Sequence, residues 1–149
     1  MPCSVILRKG RFSGEGQIYV LTTNTFDREA FFADWRVGRL VVRELMRTEE
    51  EAWLDSLAWV VMPDHFHWLV QLRTGSLAAV MRRTKSRSSQ AVNRLLGRSG
   101  QLWQQGFHDR AIRKEEDLLA LARYIVRNPV RAGLVSRVGD YPLWDAVWV

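Results

Sequence analysis

Cysteine is almost missing from this chain. Cys3 is the single one in 149 residues, which excludes an internal disulfide framework and suits a reducing cytoplasm. Long apolar runs are missing too. None approaches the roughly 18 residues a bilayer span needs, and no signal-peptide core precedes the early charges Arg8, Lys9 and Arg11. A soluble cytoplasmic protein with no membrane partner is therefore expected. Lysine is scarce: Lys9, Lys85 and Lys114 are the only three among 22 basic residues, so nineteen are arginine. Repeats, low-complexity tracts and linkers are absent, and 149 residues suffice for one core, so a single domain over 1–149 is expected.

Against that background, charge and pattern stand out. Twenty-two basic residues against 16 acidic ones give +6 and a pI near 10.2. Arginine's planar fork suits bidentate phosphate contacts, so a polyanionic partner is expected over a merely solvated basic surface. Gln17 to Thr23 reads as a strand. Asp27 is placed to cap a helix from about Arg28 to Arg47, although Gly38 weakens its middle. Ala52 to Met62 reads as a second strand, Pro63-Asp64 as a turn, and His65 to Leu72 as a third strand. Ser76 caps a second helix to about Leu96, a short fourth strand falls between Leu102 and Arg113, and a third helix runs from Glu115 to about Arg127. This order is the split βαβ of an α+β, ferredoxin-like fold: helices packed on an antiparallel sheet, with an extra C-terminal helix.

Two constellations carry chemistry. His65 and His67 are two apart on the third strand, so both imidazoles project to one face and can meet one ion. Neutral imidazole ligates, so activity that depends on such an ion is expected to fall as pH drops through about 6.5. On the third helix Tyr124 and Asn128 lie one turn apart on one side, and Pro129 marks the helix end. A third feature belongs to binding. Arg83, Arg87, Arg94 and Arg98 fall within roughly a 60° arc of the second helix, and no acidic residue lies between Ser76 and Gln105. Phosphate contact along this stripe is expected, extended by Lys85, Arg8 and Arg11. Among the tryptophans, Trp35, Trp53 and Trp59 are expected in the core, while Trp68 and Trp103 are candidates for stacking on unpaired bases.

Four ordered segments together are recognisable: Arg8-Lys9-Gly10-Arg11-Phe12-Ser13 leading into Gln17–Thr23, Val61–Val70 around the two histidines, Gly100–Arg110, and Arg123–Leu134. The chain resembles the REP-associated tyrosine transposases, relatives of the single-tyrosine HUH transposases. That resemblance implies a metal-dependent endonuclease and strand transferase acting on single-stranded DNA hairpins of REP-like palindromic type, as a monomer or homodimer. By the same resemblance His65, His67 and Asn128 are the metal ligands, Mg²⁺ or Mn²⁺ the cofactor, and Tyr124 the nucleophile that forms a 5′-phosphotyrosine link. Two other classes remain open. One is a metal hydrolase that activates water with His65, His67 and His108; the other is a non-catalytic single-strand-binding module that stacks bases on Phe66 or Trp68.

Overall fold

The computed structural model describes residues 16–113 and 116–148. Arg8, Arg11 and the rest of the opening segment lie outside the described residues. Five strands form one antiparallel sheet: β1 (Ile18–Asn24), β2 (Leu54–Met62), β3 (His65–Leu72), β4 (His108–Ala111) and β5 (Trp144–Ala146), in the order β4-β1-β3-β2-β5. The first four, β4-β1-β3-β2, follow the split βαβ topology, with β3 between β1 and β2. Helices α1 (Trp35–Glu50), α2 (Leu77–Leu96) and α3 (Leu118–Val126) accompany the sheet, and a single turn, α4 (Asn128–Arg131), follows α3. Among the described residues, no helix is long and apolar enough to cross a membrane.

The β2–β3 hairpin forms because Pro63-Asp64 is a favourable central pair flanked by β-branched and aromatic residues. Period-2 alternation then sorts β3. Phe66 and Trp68 are fully buried on the face covered by α2, where the Trp103 ring sits 5.5 Å from Phe66 and its Nε1 donates to Ser88 Oγ of α2 at 2.9 Å. His65 and His67 therefore face the opposite way.

Several expectations are corrected. Helix α1 starts at Trp35, not Arg28, and its cap is Asp34, whose Oδ1 accepts from the Arg36 amide at 3.0 Å. Residues 26–33 instead form two 3₁₀ turns, with Asp27 and Arg28 both left-handed at φ 55° and 54°. Their neighbours are tied elsewhere: the amides of Thr25, Phe26 and Phe32 donate to the carbonyls of Asp64, Leu102 and Pro63. Gly38 packs closely inside α1, where a Cβ would meet Leu143 Cδ1 at 2.5 Å and force that side chain to shift. Of the tryptophans, Trp59 is in the core and Trp53 packs against it as expected, but the other assignments are reversed. Trp68 and Trp103 are core residues, whereas Trp35, the first residue of α1, is about half exposed.

Candidate functional site

The two imidazoles lie side by side on β3, ring centroids 4.9 Å apart and planes at 78°. Each is held by its Nδ1. Thr22, directly opposite His67 on β1, places Oγ1 2.8 Å from His67 Nδ1, and Asp64 Oδ1 lies 2.7 Å from His65 Nδ1. Both Nε2 atoms are thereby left for an ion, the arrangement by which a second hydrogen bond fixes ring orientation and tautomer. Asp64 is itself held by Arg28, whose Nε donates to Oδ2 at 3.0 Å. Burial alone would push the Asp64 carboxyl up; hydrogen bonds from His65 and Arg28 outweigh it and hold the group below the usual range. Removing this support with Asp64→Ala is expected to weaken Mn²⁺ binding by about 10–100-fold in a calorimetric titration, with the fold retained.

His67 is pulled down to about 4, mainly by burial and further by the charges of His65 and Arg131. Its ring therefore stays neutral well below the ordinary 6.5, so the acid limit attributable to His67 moves from the expected pH 6.5 towards 4. Between 6.5 and about 4 the unfolded chain takes up this proton and the folded chain does not, so stability falls as pH drops through that window. On the order of 2 kcal/mol is at stake after allowance for partial exposure. A series of denaturant melts from pH 7.5 to 4 should show the loss, and His67→Gln should flatten that part of the curve.

Helix α3 crosses the imidazole-bearing face. Asp117 caps it, its Oδ1 accepting from the Ala120 amide at 3.1 Å, and Ala122, Ile125 and Val126 bury its apolar side. Tyr124, Asn128 and His67 line one cleft of about 260 Å³, together with Thr22, His108 and Leu121. Asn128 donates its amide Nδ2 to Ile125 O at 2.9 Å, which turns the chemistry of the side chain onto its oxygen. Pro129 does not end the helical path outright: it occupies the first turn of α4, where its missing amide costs nothing. Tyr124 is 61% exposed, and the Arg131 guanidinium carbon stands 3.7 Å from its ring centroid. Tyr141 is its opposite: buried, donating to Val61 O at 2.6 Å, and pushed up to about 12 by burial.

His108 also pairs with Thr22, but across β4, so Thr22 separates it from His67. Their backbones are two strand spacings apart, roughly 9.5 Å. Among the described residues no three His, Cys, Asp or Glu side chains converge as a metal cluster.

The α2 cations are mostly engaged within the molecule. Arg83, with its side chain only 10% exposed, donates to Thr48 Oγ1 and to Glu51, and Arg87 reaches Glu51 at 3.7 Å. Lys85 Nζ donates to the carbonyls of Gln104 and Gly106 at 2.7 Å each, and burial pulls its ammonium below the usual range. Arg98 bonds Asn93 and Gln101 and covers the Phe31 ring at 4.7 Å. Arg94 is exposed. Residues whose place in the site the sequence did not show are Thr22, Arg28 and Arg131, together with Asp64, which was read only as a turn residue. Only Arg131 carried a visible signal, since it continues the i, i+4, i+7 spacing of Tyr124 and Asn128.

This five-stranded antiparallel α+β fold has known counterparts. The sequence profile described as "Transposase IS200 like" matches residues 18–128. The chain belongs to this family of transposases, which are enzymes. Among its relatives is a REP-associated tyrosine transposase of Escherichia coli K12, 25% identical over 134 residues, which are 89% of this chain and 78% of that one. A putative REP-associated tyrosine transposase of Haemophilus influenzae is 31% identical over 99 residues, 59% of this chain and 56% of the relative. The solved structure of a REP-associated tyrosine transposase bound to a REP hairpin superposes with a TM-score of 0.72 at 25% identity, covering 87% of this chain and 76% of that chain. A putative transposase from Deinococcus radiodurans, 18% identical with a TM-score of 0.53 over 74% of this chain and 88% of its own, shares the fold.

Proposed function

We propose that this chain nicks and rejoins single-stranded DNA at REP-type hairpins through a covalent 5′-phosphotyrosine intermediate on Tyr124. The observation that carries the reading is the shared cleft of Tyr124, Asn128 and His67, with His65 beside His67. Tyr124 Oη attacks the scissile phosphorus; the Oη–P bond forms as the P–O3′ bond breaks. The phenol gives up its hydrogen, and the 3′-oxygen departs with one. One phosphodiester replaces another, so the reverse attack by a 3′-hydroxyl rejoins strands at the same site. Arg131, over the phenol ring, supplies positive charge where the phosphate must approach.

His65 Nε2, His67 Nε2 and Asn128 Oδ1 form a neutral donor set without a carboxylate, which fits a weakly held Mg²⁺ or Mn²⁺ with open positions better than a closed structural zinc site. Such an ion, when bound, polarises and orients the phosphate as a Lewis acid. The chain's own residues do the remaining work. Thr22 and Asp64 hold the rings, and α3 presents the phenol from above the sheet.

The water-activating alternative loses support because, among the described residues, no three His, Cys, Asp or Glu side chains converge on one point. The stacking-module alternative loses its platform, since Phe66 and Trp68 are fully buried. REP-type hairpin DNA labelled at its 3′ end, the end retained on Tyr124, incubated with protein and Mg²⁺, then denatured and run on a gel, tests the proposal. Label should travel with the protein; free cleavage products without any protein-linked label would overturn it.

A further inference from the structure

The phenol of Tyr124 forms part of two walls. On one flank is the imidazole cleft; on the other is a larger open groove of about 740 Å³ lined by Arg123, Tyr124, Arg127, Arg131, Ser136 and Arg137, with no acidic residue in its lining. Arg123, Arg127 and Arg131 recur every four residues along α3 and its continuation into α4, about 6 Å apart along the axis. That step is comparable with the distance between successive phosphates of an extended single strand. Arg123 and Arg127 are exposed and, among the described residues, have no acidic partner; Arg137 meets Asp140 at 3.5 Å in a solvent-exposed pair of little strength. The α2 cations, by contrast, are largely spent on Glu51, backbone carbonyls and Phe31.

We infer that this groove binds the DNA segment 3′ of the scissile phosphate, the piece that stays joined to Tyr124 after cleavage. The inference rests on Tyr124 being the nucleophile. In-line displacement puts the departing 3′-oxygen on the side of phosphorus remote from the phenol, so the strand that leaves is directed away from Tyr124. The retained strand emerges sideways, next to the phenol, where the arginines lie. Holding it there keeps the covalent intermediate from swinging out of reach of the 3′-hydroxyl that must rejoin it. The groove therefore acts as a clamp on the intermediate as well as a contact in the substrate complex.

The test uses the Tyr124→Phe protein, which binds without cutting, and REP-type hairpin oligonucleotides carrying zero, two or four nucleotides 3′ of the cleavage site, read by fluorescence anisotropy across a salt series. Four downstream nucleotides should tighten binding roughly tenfold and steepen the salt dependence by about 2, as three single-strand phosphate contacts require. Adding Arg123→Gln, Arg127→Gln and Arg137→Gln together should erase that increment while leaving affinity for the unextended hairpin within about threefold. An increment that survives the triple substitution, or one that appears only on upstream extension, overturns the inference. Should the triple variant fail to fold, the length series on the Tyr124→Phe protein still decides, because a flat downstream series is fatal. Adduct formation by the unsubstituted protein on the same hairpins, run in parallel, reports the parent reading separately. An adduct with a flat series sinks the groove alone, and no adduct sinks both.

Discussion

Replacing Tyr124 by phenylalanine should abolish the protein–DNA adduct and lower strand cleavage by at least about 10⁴-fold, the scale expected when a covalent nucleophile is removed and nothing replaces it. Binding of hairpin DNA should change little. The phenol is 61% exposed and, among the described residues, makes no hydrogen bond that holds the fold, so the melting temperature should also stay within a degree or two. Tyr141→Phe gives the contrasting pattern. Its hydroxyl is buried on Val61 O, so the substitution should cost about 1 kcal/mol and a few degrees of melting temperature while leaving adduct formation intact. The pair of variants separates chemistry from folding by measuring adduct yield and thermal stability on each.

His67→Ala should be nearly as damaging to turnover, by about 10³-fold or more, for a different reason. The ring projects from β3 into the cleft with Thr22 on its Nδ1, which leaves its Nε2 for the proposed ion. Loss of one of three neutral donors leaves too weak a site. In the intact protein, Mn²⁺ should raise the melting temperature in proportion to the logarithm of its concentration; in the variant that rise should disappear. Hairpin affinity at low salt should persist, because the proposed phosphate contacts are made by arginines and not by the imidazole. A variant that kept both metal-dependent stabilisation and cleavage would remove His67 from the site.

Much of this was readable in the sequence where local chemistry dominates. Ser76 was visible as the cap of α2, where it accepts from the Ala79 amide, and the helix ends at Leu96 as read, with Gly97 adopting φ 61° just beyond it. The β2–β3 hairpin and the direction of its histidines followed from Pro63-Asp64 and period 2. Where tertiary contacts decide, the sequence was silent. A left-handed Asp27-Arg28 pair has no compositional signature, and it displaced the start of α1 by seven residues. The three-residue β5 is too short to show alternation, so only its pairing with β2 reveals it. The arginine stripe of α2 looked unneutralised because no acid lies nearby in sequence; Glu51, at the end of α1, supplies the charge across a helix–helix contact. In the site, spacing exposed Tyr124, Asn128 and the histidines, but the groups that orient them come from neighbouring strands and turns. Thr22 could be found only once register was known, and Asp64 bends back to its own neighbour although alternation points it away.

The most direct measurement is to trap the protein on REP-type hairpin DNA with Mg²⁺, digest it with trypsin and nuclease, and identify the modified peptide by mass spectrometry. Cleavage after Arg123 and Arg127 isolates Tyr124-Ile125-Val126-Arg127, and the account predicts a 5′-linked nucleotide on that tetrapeptide. A nucleotide on Tyr19 or Tyr141, or cleaved DNA with every tyrosine peptide unmodified, would contradict it.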